Sequence, residues 1–470
     1  MSFIKKNKFL ILLFVLYLCC IAILFHFHEN WRDEAQAYLM CRDMNLGEIF
    51  RNAYLEGHPI LYYLCLYPFV QLGIGPKIVN FFSFFCMSIA AYLILFHSKL
   101  NIIQKASILI SYPTLYEYSV IGRSYSLAFL LLVIVGLLYE KKEESPILFG
   151  LVLGLLLNTH LMLAFFSCGL ALLFYGKEFL SHHFQVNKKI WISFFSFLFF
   201  CILLFLQFYP LLLANDSFGL DRNLSFSSFF SILAAMTFGF SGNINLISFF
   251  VSVVVLIYVF LLIFQQNKIL LFFLLMNYLF MGFLIFYVFG AQSLHHVELG
   301  YCIFVSVILM LGEKILHKKM TVLLIFMSLL SLPTVIRASS FDISYPYSNG
   351  EEASNYILEN IDEDAVFLCK TDSLCSTLVS YVSNRFYHTN SERYFTYVVW
   401  TTDRERPTNF KHMQDFINSH KSVYYIYTGY YKEDDLLLKK LKENYSLKKK
   451  YQSKIKSFSL ENYTIYEIRK

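Results

Sequence analysis

The feature of this sequence that most constrains its fold is a series of long apolar runs that contain no charge. Phe occurs 51 times and is concentrated in these runs, and only 15% of the 470 residues are charged. Soluble globular proteins are usually about a quarter charged. Because no soluble core of this length could bury all of the runs, they require a hydrocarbon surrounding. The sequence therefore predicts an α-helical polytopic membrane protein.

The apolar runs predict about eleven transmembrane helices, each needing roughly 20 residues or somewhat fewer where it is sheltered. The predicted crossings are about 9–27, 77–96, 106–120, 124–140, 146–159, 160–175, 190–211, 246–264, 269–290, 296–312 and 320–337. The first run follows Lys5, Lys6 and Lys8, which places the N-terminus inside. The run is long and ends without a small-residue cleavage site, so we interpret it as a retained anchor.

The short apolar segment 58–73 admits two topologies. If it crosses the membrane, the loop HSKLNIIQK faces outward. If it lies in the interface as a half-helix, five basic loops all face the cytoplasm: HSKLNIIQK, EKKEES, GKEFLSHHFQVNKK, QQNK and GEKILHKKM. The positive-inside rule favours the interfacial placement. Residues 28–58, the turn around 117–123, residues 158–160, 212–245 and 291–298 are then outside.

The composition changes after the linker ASSFDISYPYSNG. Short apolar runs, such as DAVFLC and SVYYIYTG, now alternate with helical patterns, such as EEASNYILENI. This alternation predicts a small α/β domain at 339–470, on the extracytoplasmic side of a transmembrane domain at 1–338. Cys369 and Cys375 in this domain either form a disulfide, which an oxidising compartment would permit, or remain free thiols.

The net charge of +6 does not indicate nucleic-acid binding. The basic residues are scattered over short loops and the C-terminal stretch LKKLKENYSLKKKYQSKIK, with no arginine-rich patch. Loop Lys and Arg residues normally set membrane topology. We expect the lipid bilayer, and no nucleic acid, among the partners.

The acidic pair Asp33 and Glu34 stands just after the first crossing, and EGHP follows at 56–59. Folding does not require adjacent carboxylates at this point. A carboxylate beside apolar surface can act as a general base, or it can bind a divalent metal together with His58. The plain alternative is that Asp33 and Glu34 are solvated loop acids or caps of the next helix. His58 and Pro59 are equally compatible with an ordinary helix start.

Together these elements resemble the GT-C glycosyltransferases, especially the protein O-mannosyltransferases and the lipid A aminoarabinose transferases. The matching elements are Asp33-Glu34-Ala35, His58-Pro59-Ile60-Leu61, and Pro113, Glu117, Arg123 and Tyr125 in the second external loop. The sequence departs from the family where an aspartate is absent after Arg123-Ser124-Tyr125 and where Ile60 replaces a second proline. The motifs cover about residues 1–140, and beyond them only the architecture is similar.

The resemblance implies an enzyme that transfers a sugar from a polyprenyl-phosphate donor to an extracytoplasmic lipid, glycan or protein acceptor, with inversion. It gives Asp33 and Glu34 catalytic roles, with Asp33 as the base. The implied substrate-binding residues are His58, Glu117, Arg123, Tyr125, Arg222, His295 and His296. Arg123 is the first candidate to stabilise the leaving phosphate, followed by the His295-His296 pair and Arg222. The structural alternatives are an interfacial Arg123, interfacial histidines and a solvated Arg222.

No cofactor is certain, and a divalent metal is compatible with the acidic pair. His160, in the turn NTH, is interpreted as a polar helix-turn residue. The implied location is the plasma (inner) membrane, with the site and the C-terminal domain outside. The second hypothesis is a transporter or flippase of a lipid-linked saccharide, for which internal repeats and mid-membrane charges would be typical. The third is a membrane scaffold, for which Asp33 would matter little.

Overall fold

The computed structural model describes residues 7–213, 232, 236, 246–286, 294–312, 315 and 317–470. Helices dominate the chain up to residue 344, and a mixed sheet follows. The helices before the sheet are α1 Lys8–Phe27, α2 Arg32–Asp43, α3 Leu46–Glu56, α4 Leu61–Gln71, α5 Ile78–His97, α6 Ile102–Leu109, α7 Tyr125–Leu138, α8 Pro146–Leu157, α9 Ala164–Ser181, α10 Lys188–Leu213, α11 Leu246–Gln266, α12 Lys268–Leu284, α13 Leu294–Leu311 and α14 His317–Ser344.

Within the residues that the structure describes, five helices are long and apolar enough to cross a membrane. They are Lys8–Phe27, Ile78–His97, Leu161–Ser181, Lys188–Leu211 and His317–Ser344. A 20-residue helix such as α1 is about 30 Å long, which matches the hydrocarbon thickness of a bilayer. Shorter apolar helices are Pro146–Leu157, Val253–Gln266, Lys268–Leu284 and His296–Leu311. The helical membrane class is supported, while the count of eleven crossings and their sidedness stay predictions.

Large apolar side chains point outward from these helices. Phe9 is 73% exposed, Phe272 is 64% exposed and Val322 is 64% exposed. Such surface is costly in water and costs nothing in lipid. The helices therefore have the outward-facing surface that a membrane protein requires.

The predicted crossing 106–120 is divided in the structure. Helix α6 ends at Leu109, and a π-helical turn, Pro113–Glu117, leads into the short helix Tyr118–Val120. Pro113 has no backbone N–H to donate, which interrupts a regular helix. The Ser111 and Thr114 hydroxyls both donate to the Ile108 carbonyl at this break. The division brings the 117–123 segment toward α2.

The predicted half-helix at 58–73 corresponds to α4, which has 11 residues and contains Pro68. Its length is about 16 Å, too short to cross a bilayer alone. The length agrees with the interfacial interpretation, and its position relative to the membrane stays a prediction.

The C-terminal region is a small α/β domain, as the alternating pattern predicts. Its elements are α15 Gly350–Asn360, β1 Val366–Cys369, α16 Asp372–Tyr381, β2 Arg385–His388, β3 Arg393–Phe395, α17 Phe410–Ser419, β4 Val423–Tyr427, α18 Lys432–Asn444, β5 Ser446–Gln452 and β6 Thr464–Arg469. The strand order is β3-β2-β1-β4-β6-β5, with β1 parallel to β2 and β4 and the other pairs antiparallel. Cys369 and Cys375 are free, buried thiols here.

The sheet domain packs directly on the segment that carries the acidic pair. Helix α16 lies against α2, where the Arg42 guanidinium donates to the Val379 carbonyl over 3.1 Å. The Arg32 backbone N–H donates to the buried Glu461 carboxyl over 3.0 Å. The first bond joins the end of α2 to the C-terminal domain, and the second satisfies a backbone N–H at the start of α2, so the domain helps to fix the orientation of that helix.

Close helix packing gives a first prediction, because α8 contacts α10 through glycine. A Cβ atom at Gly154 would lie 2.2 Å from the Phe200 ring. We expect Gly154→Ala to destabilise the protein by about 1–3 kcal/mol through overpacking, measured by unfolding in detergent. Gly176 has open space around it, so Gly176→Ala is the control and should be neutral or slightly stabilising. Equal effects of both substitutions would contradict this packing.

Candidate functional site

Asp33 and Arg123, far apart in sequence, form an ion pair in the structure. Asp33 lies in the first turn of α2, and Arg123 lies just before α7. Arg123 Nη1 is 3.1 Å from Asp33 Oδ2, and the Asp33 side chain is 33% exposed. Arg32 Nε is 3.9 Å from the other carboxylate oxygen. Asp33 is thus a partly solvated carboxylate beside two guanidinium groups.

Glu34 links the chain segments that carry Asp33 and Arg123. Its fully buried carboxylate accepts hydrogen bonds from the Trp31 backbone N–H over 3.0 Å, the Asn80 amide over 2.6 Å and the Gly122 N–H over 2.5 Å. The bond from Trp31 caps α2, and the bond from Gly122 fixes the residue next to Arg123. A buried carboxylate is tolerated only when such donors replace water. Glu34 therefore determines where both partners of the ion pair stand.

Gly122 allows its loop to lie close to α5, which the hydrogen bonds to Glu34 require. We call these bonds from Trp31, Asn80 and Gly122 to the Glu34 carboxylate the Glu34 clamp. A Cβ atom at Gly122 would lie 2.8 Å from the Val79 backbone and 2.9 Å from the Asn80 backbone nitrogen. Real Cβ atoms do not come this close to backbone, so a larger residue would push the loop away from α5.

His28 places a positive charge next to the Glu34 carboxylate. Its Nε2 is 3.2 Å from Glu34, and its Nδ1 is 2.9 Å from Asp342 near the end of α14. Burial alone would lower the pKa of His28, but the carboxylates of Asp342 and Glu34 outweigh burial and raise it to about 10. The start of α2 is therefore tied to the helix that leads into the C-terminal domain.

Asp33 and Arg123 open onto a cavity of about 220 Å³ that is lined by charged and hydrogen-bonding side chains together with apolar ones, and we call it the polar cavity. Its transmembrane-side wall includes Gln36 and Glu56, and its other wall comes from the C-terminal domain. The domain contributes Ser373, Ser376, Val398 and Trp400. Burial raises the pKa of Glu56 to about 7, although hydrogen bonds from Gln36 and Trp400 offset part of the effect. The cavity is thus lined by two carboxyl groups in different environments, the partly solvated Asp33 and the more buried Glu56.

A second cavity, of about 460 Å³, adjoins the first and is mainly apolar. Both cavities are lined by Leu55, Glu56, His58 and Arg123. The second also includes His160, His296 and apolar residues of α10 and α12. Burial and the charge of Arg123 lower the pKa of His58 to about 4, which leaves its imidazole neutral at pH 7. Arg123 therefore lies between the polar cavity and this second one, which we call the apolar cavity.

Some of the remaining sequence candidates lie at the two cavities and others do not. Tyr125 lies beneath the Arg123 guanidinium, whose carbon is 5.2 Å from the ring centre, and His296 lines the apolar cavity. Glu117 lines neither cavity and accepts a hydrogen bond from the Tyr112 hydroxyl over 2.7 Å. Arg222 and the side chain of His295 fall outside the described residues.

Several residues of the site were not among the sequence candidates, including Gln36, Glu56, His160 and Trp400. Glu56 directly precedes the Gly57-His58 motif, and Gln36 follows Asp33 by one helical turn, so proximity to the motifs could have identified both. His160, interpreted as a helix-turn residue, does cap the turn at Leu161–Leu163, and its ring also lies 5.2 Å from that of His58. Trp400 reaches the site only through domain packing, and nothing in its local sequence indicates this.

A metal site does not emerge from the acidic pair. Within the described part of the chain, no group of three or more His, Cys, Asp or Glu side chains is arranged to hold a metal ion. The Glu34 oxygens, which the metal hypothesis required beside Asp33 and His58, are occupied by N–H donors instead.

Comparison with known proteins does not assign a family. No family model matches the chain, and no curated protein or solved structure is significantly similar to it.

The clamp predicts that Glu34→Gln is strongly destabilising. The substitution places an amide donor among N–H donors, so we expect a loss of about 3 kcal/mol in unfolding free energy. Glu48 is the matched control, because it occupies the same capping position in α3 but is partly exposed. Glu48→Gln should cost less than about 1 kcal/mol. A Glu34→Gln protein as stable as wild type would contradict the clamp.

The His28 pair predicts a stability loss at alkaline pH. Between pH 6.5 and about 10 the folded state holds a proton on His28 that the unfolded state has released, so stability falls as pH rises through this interval. Glu29, Glu56 and Glu461, with pKa values raised by burial to about 7, titrate mainly below pH 8. Thermal unfolding from pH 8 to 10 should therefore show a decline that His28→Gln reduces, while the buried Cys41 and Cys375 thiols, whose pKa burial also raises, contribute to the decline in both proteins. A wild-type profile that is flat or rising would contradict the prediction.

Proposed function

We propose that this protein is a membrane glycosyltransferase of the GT-C type, which transfers a sugar from a polyprenyl-phosphate donor to an acceptor outside the cytoplasm. One observation carries the proposal: the Asp33–Arg123 pair stands where a polar cavity meets an apolar one. A lipid-linked sugar has the same division into a polar head and an apolar tail. The resemblance of the Asp33-Glu34 and His58-Pro59 motifs to that superfamily supports the assignment.

In the proposed reaction the phosphate of the donor binds Arg123, which separates this guanidinium from Asp33. The freed Asp33 carboxylate accepts the proton of an acceptor hydroxyl as its oxygen attacks the anomeric carbon. The bond from that carbon to the phosphate oxygen breaks with inversion, and the electron pair leaves with the lipid phosphate. Arg123 stabilises the charge that develops on this phosphate.

Glu34 has a different role in this scheme from the catalytic one that the resemblance implies. It lines neither cavity, and its oxygens already accept N–H donors. We assign it as a positioning residue, which holds Asp33 and Arg123 at reacting distance.

The orientation in the membrane is part of the proposal. The basic loops between the apolar helices favour an inside N-terminus, which puts the 28–58 segment and the C-terminal domain outside. The implied membrane is the plasma (inner) membrane, where polyprenyl-linked sugars are presented to envelope acceptors.

The test is transfer of labelled sugar by purified protein from polyprenyl-phosphate sugars to cell-envelope acceptors. Asp33→Asn should lower the rate by about 10²–10⁴-fold, because it removes the proton acceptor and preserves the size of the side chain. Asp43→Asn is the matched control, since Asp43 lies in the same helix and pairs with the preceding Arg42 as Asp33 does with Arg32. It should leave the rate unchanged.

Full transfer by Asp33→Asn would show that the catalytic assignment is wrong. If neither protein transferred sugar but both moved the lipid between leaflets, the transporter hypothesis would replace the enzyme.

A further inference from the structure

Three exposed aromatic rings of the C-terminal domain, which we call the aromatic rim, lie either in the wall of the polar cavity or near the Arg32 side chain that lines it: Trp400, Tyr430 and Tyr431. Their exposed fractions are 41%, 38% and 50%. Trp400 lines the cavity itself, and the Arg32 guanidinium, next to Asp33, lies 5.7 Å from the Tyr430 ring centre. Tyr431 contacts Tyr430, with ring centres 4.6 Å apart at 70°. Exposed aromatic side chains grouped beside a cavity indicate a binding surface.

Trp400 is held in place at both ends of its loop. Before it, the Gln36 side chain exchanges two hydrogen bonds of 2.8 Å with the Val398 backbone. After it, the Arg404 guanidinium lies 4.3 Å from the indole ring centre and binds the buried Asp372 carboxylate. The ring is therefore preorganised, so that a ligand stacking on it does not have to order a mobile side chain.

We propose that the aromatic rim binds the acceptor, and that the acceptor is a carbohydrate chain of uncharged sugar rings. This inference rests on the proposed function and deepens it by naming the acceptor class. The C–H faces of a sugar ring stack on Trp400 and the tyrosines, while its hydroxyls meet the hydrogen-bonding groups inside. Those groups are Gln36, Glu56, Ser124, Ser373 and Ser376.

The chemistry of the two cavities separates this acceptor from a lipid. Apolar lining is concentrated in the second cavity, which the donor tail occupies in the proposed reaction. The polar cavity has a smaller apolar surface, and its wall combines aromatic and aliphatic side chains with hydroxyl, amide, carboxyl and guanidinium groups. A charged polymer is also disfavoured beside Trp400, because the Arg404 guanidinium there is already paired with the buried Asp372 carboxylate. A neutral polyol satisfies both the rings and the polar wall.

The test measures acceptor binding without any donor, in full-length protein in lipid nanodiscs. Saturation-transfer NMR titrations use maltohexaose, cellohexaose, mannohexaose and chitohexaose as probes. At least one should bind, and Trp400→Ala and Tyr431→Ala should each weaken its Kd by about tenfold. Trp400→Phe, which keeps a planar ring, should stay within about threefold of wild type. The control is Tyr394→Ala, since Tyr394 has similar exposure but packs on Tyr387 and Phe416, which belong neither to the aromatic rim nor to either cavity.

Absence of binding by all four probes, or undiminished binding by Trp400→Ala, overturns the proposed acceptor site. If Asp33-dependent transfer to lipid or protein acceptors persists in that case, the enzyme assignment stands and only the acceptor class is wrong. If Trp400-dependent binding is seen while Asp33→Asn keeps full transfer, the sugar-binding surface stands and the catalytic assignment fails.

Discussion

The buried carboxylate of Glu34 is the constraint on which the site depends. It accepts N–H donors from Trp31, Asn80 and Gly122 and contacts His28, so it joins the start of α2 to α5 and to the loop before α7. Isolated in an apolar interior, such a charge would cost several kcal/mol, and the surrounding donors offset that cost. Since Asp33 precedes Glu34 and Arg123 follows Gly122, the clamp also sets the distance between the two groups assigned to catalysis.

This arrangement explains how a membrane-embedded helical scaffold and a soluble-type sheet domain form one site. The apolar cavity lies among helices that require lipid around them, and Val398 and Trp400 of the C-terminal domain form part of the wall of the polar cavity. Arg123 lines both cavities. A substrate with a lipid tail and a sugar head can therefore place its phosphate at the shared wall, with the reacting carbon beside Asp33.

The sequence predicted the helical class and the α/β domain well, because hydropathy and alternation depend only on each local run. It did not predict the break before Pro113, where the Ser111 and Thr114 hydroxyls donate to the Ile108 carbonyl. It missed β2 and β5, since RFYH is short and SLKKKYQ is highly charged for a strand. Asp33 and Arg123 were both candidates, but their contact follows from the Gly122 N–H bond to Glu34. Such a bond across α5 leaves no local pattern.

The most direct measurement is a cryo-electron microscopy structure in nanodiscs with a non-transferable phosphonate analogue of a polyprenyl-phosphate sugar. The account predicts that the phosphonate lies within about 3 Å of Arg123, with the prenyl chain in the apolar cavity and the Asp33 carboxylate facing the sugar. Lipid bound elsewhere, or an Asp33 carboxylate directed away from both cavities, would contradict it.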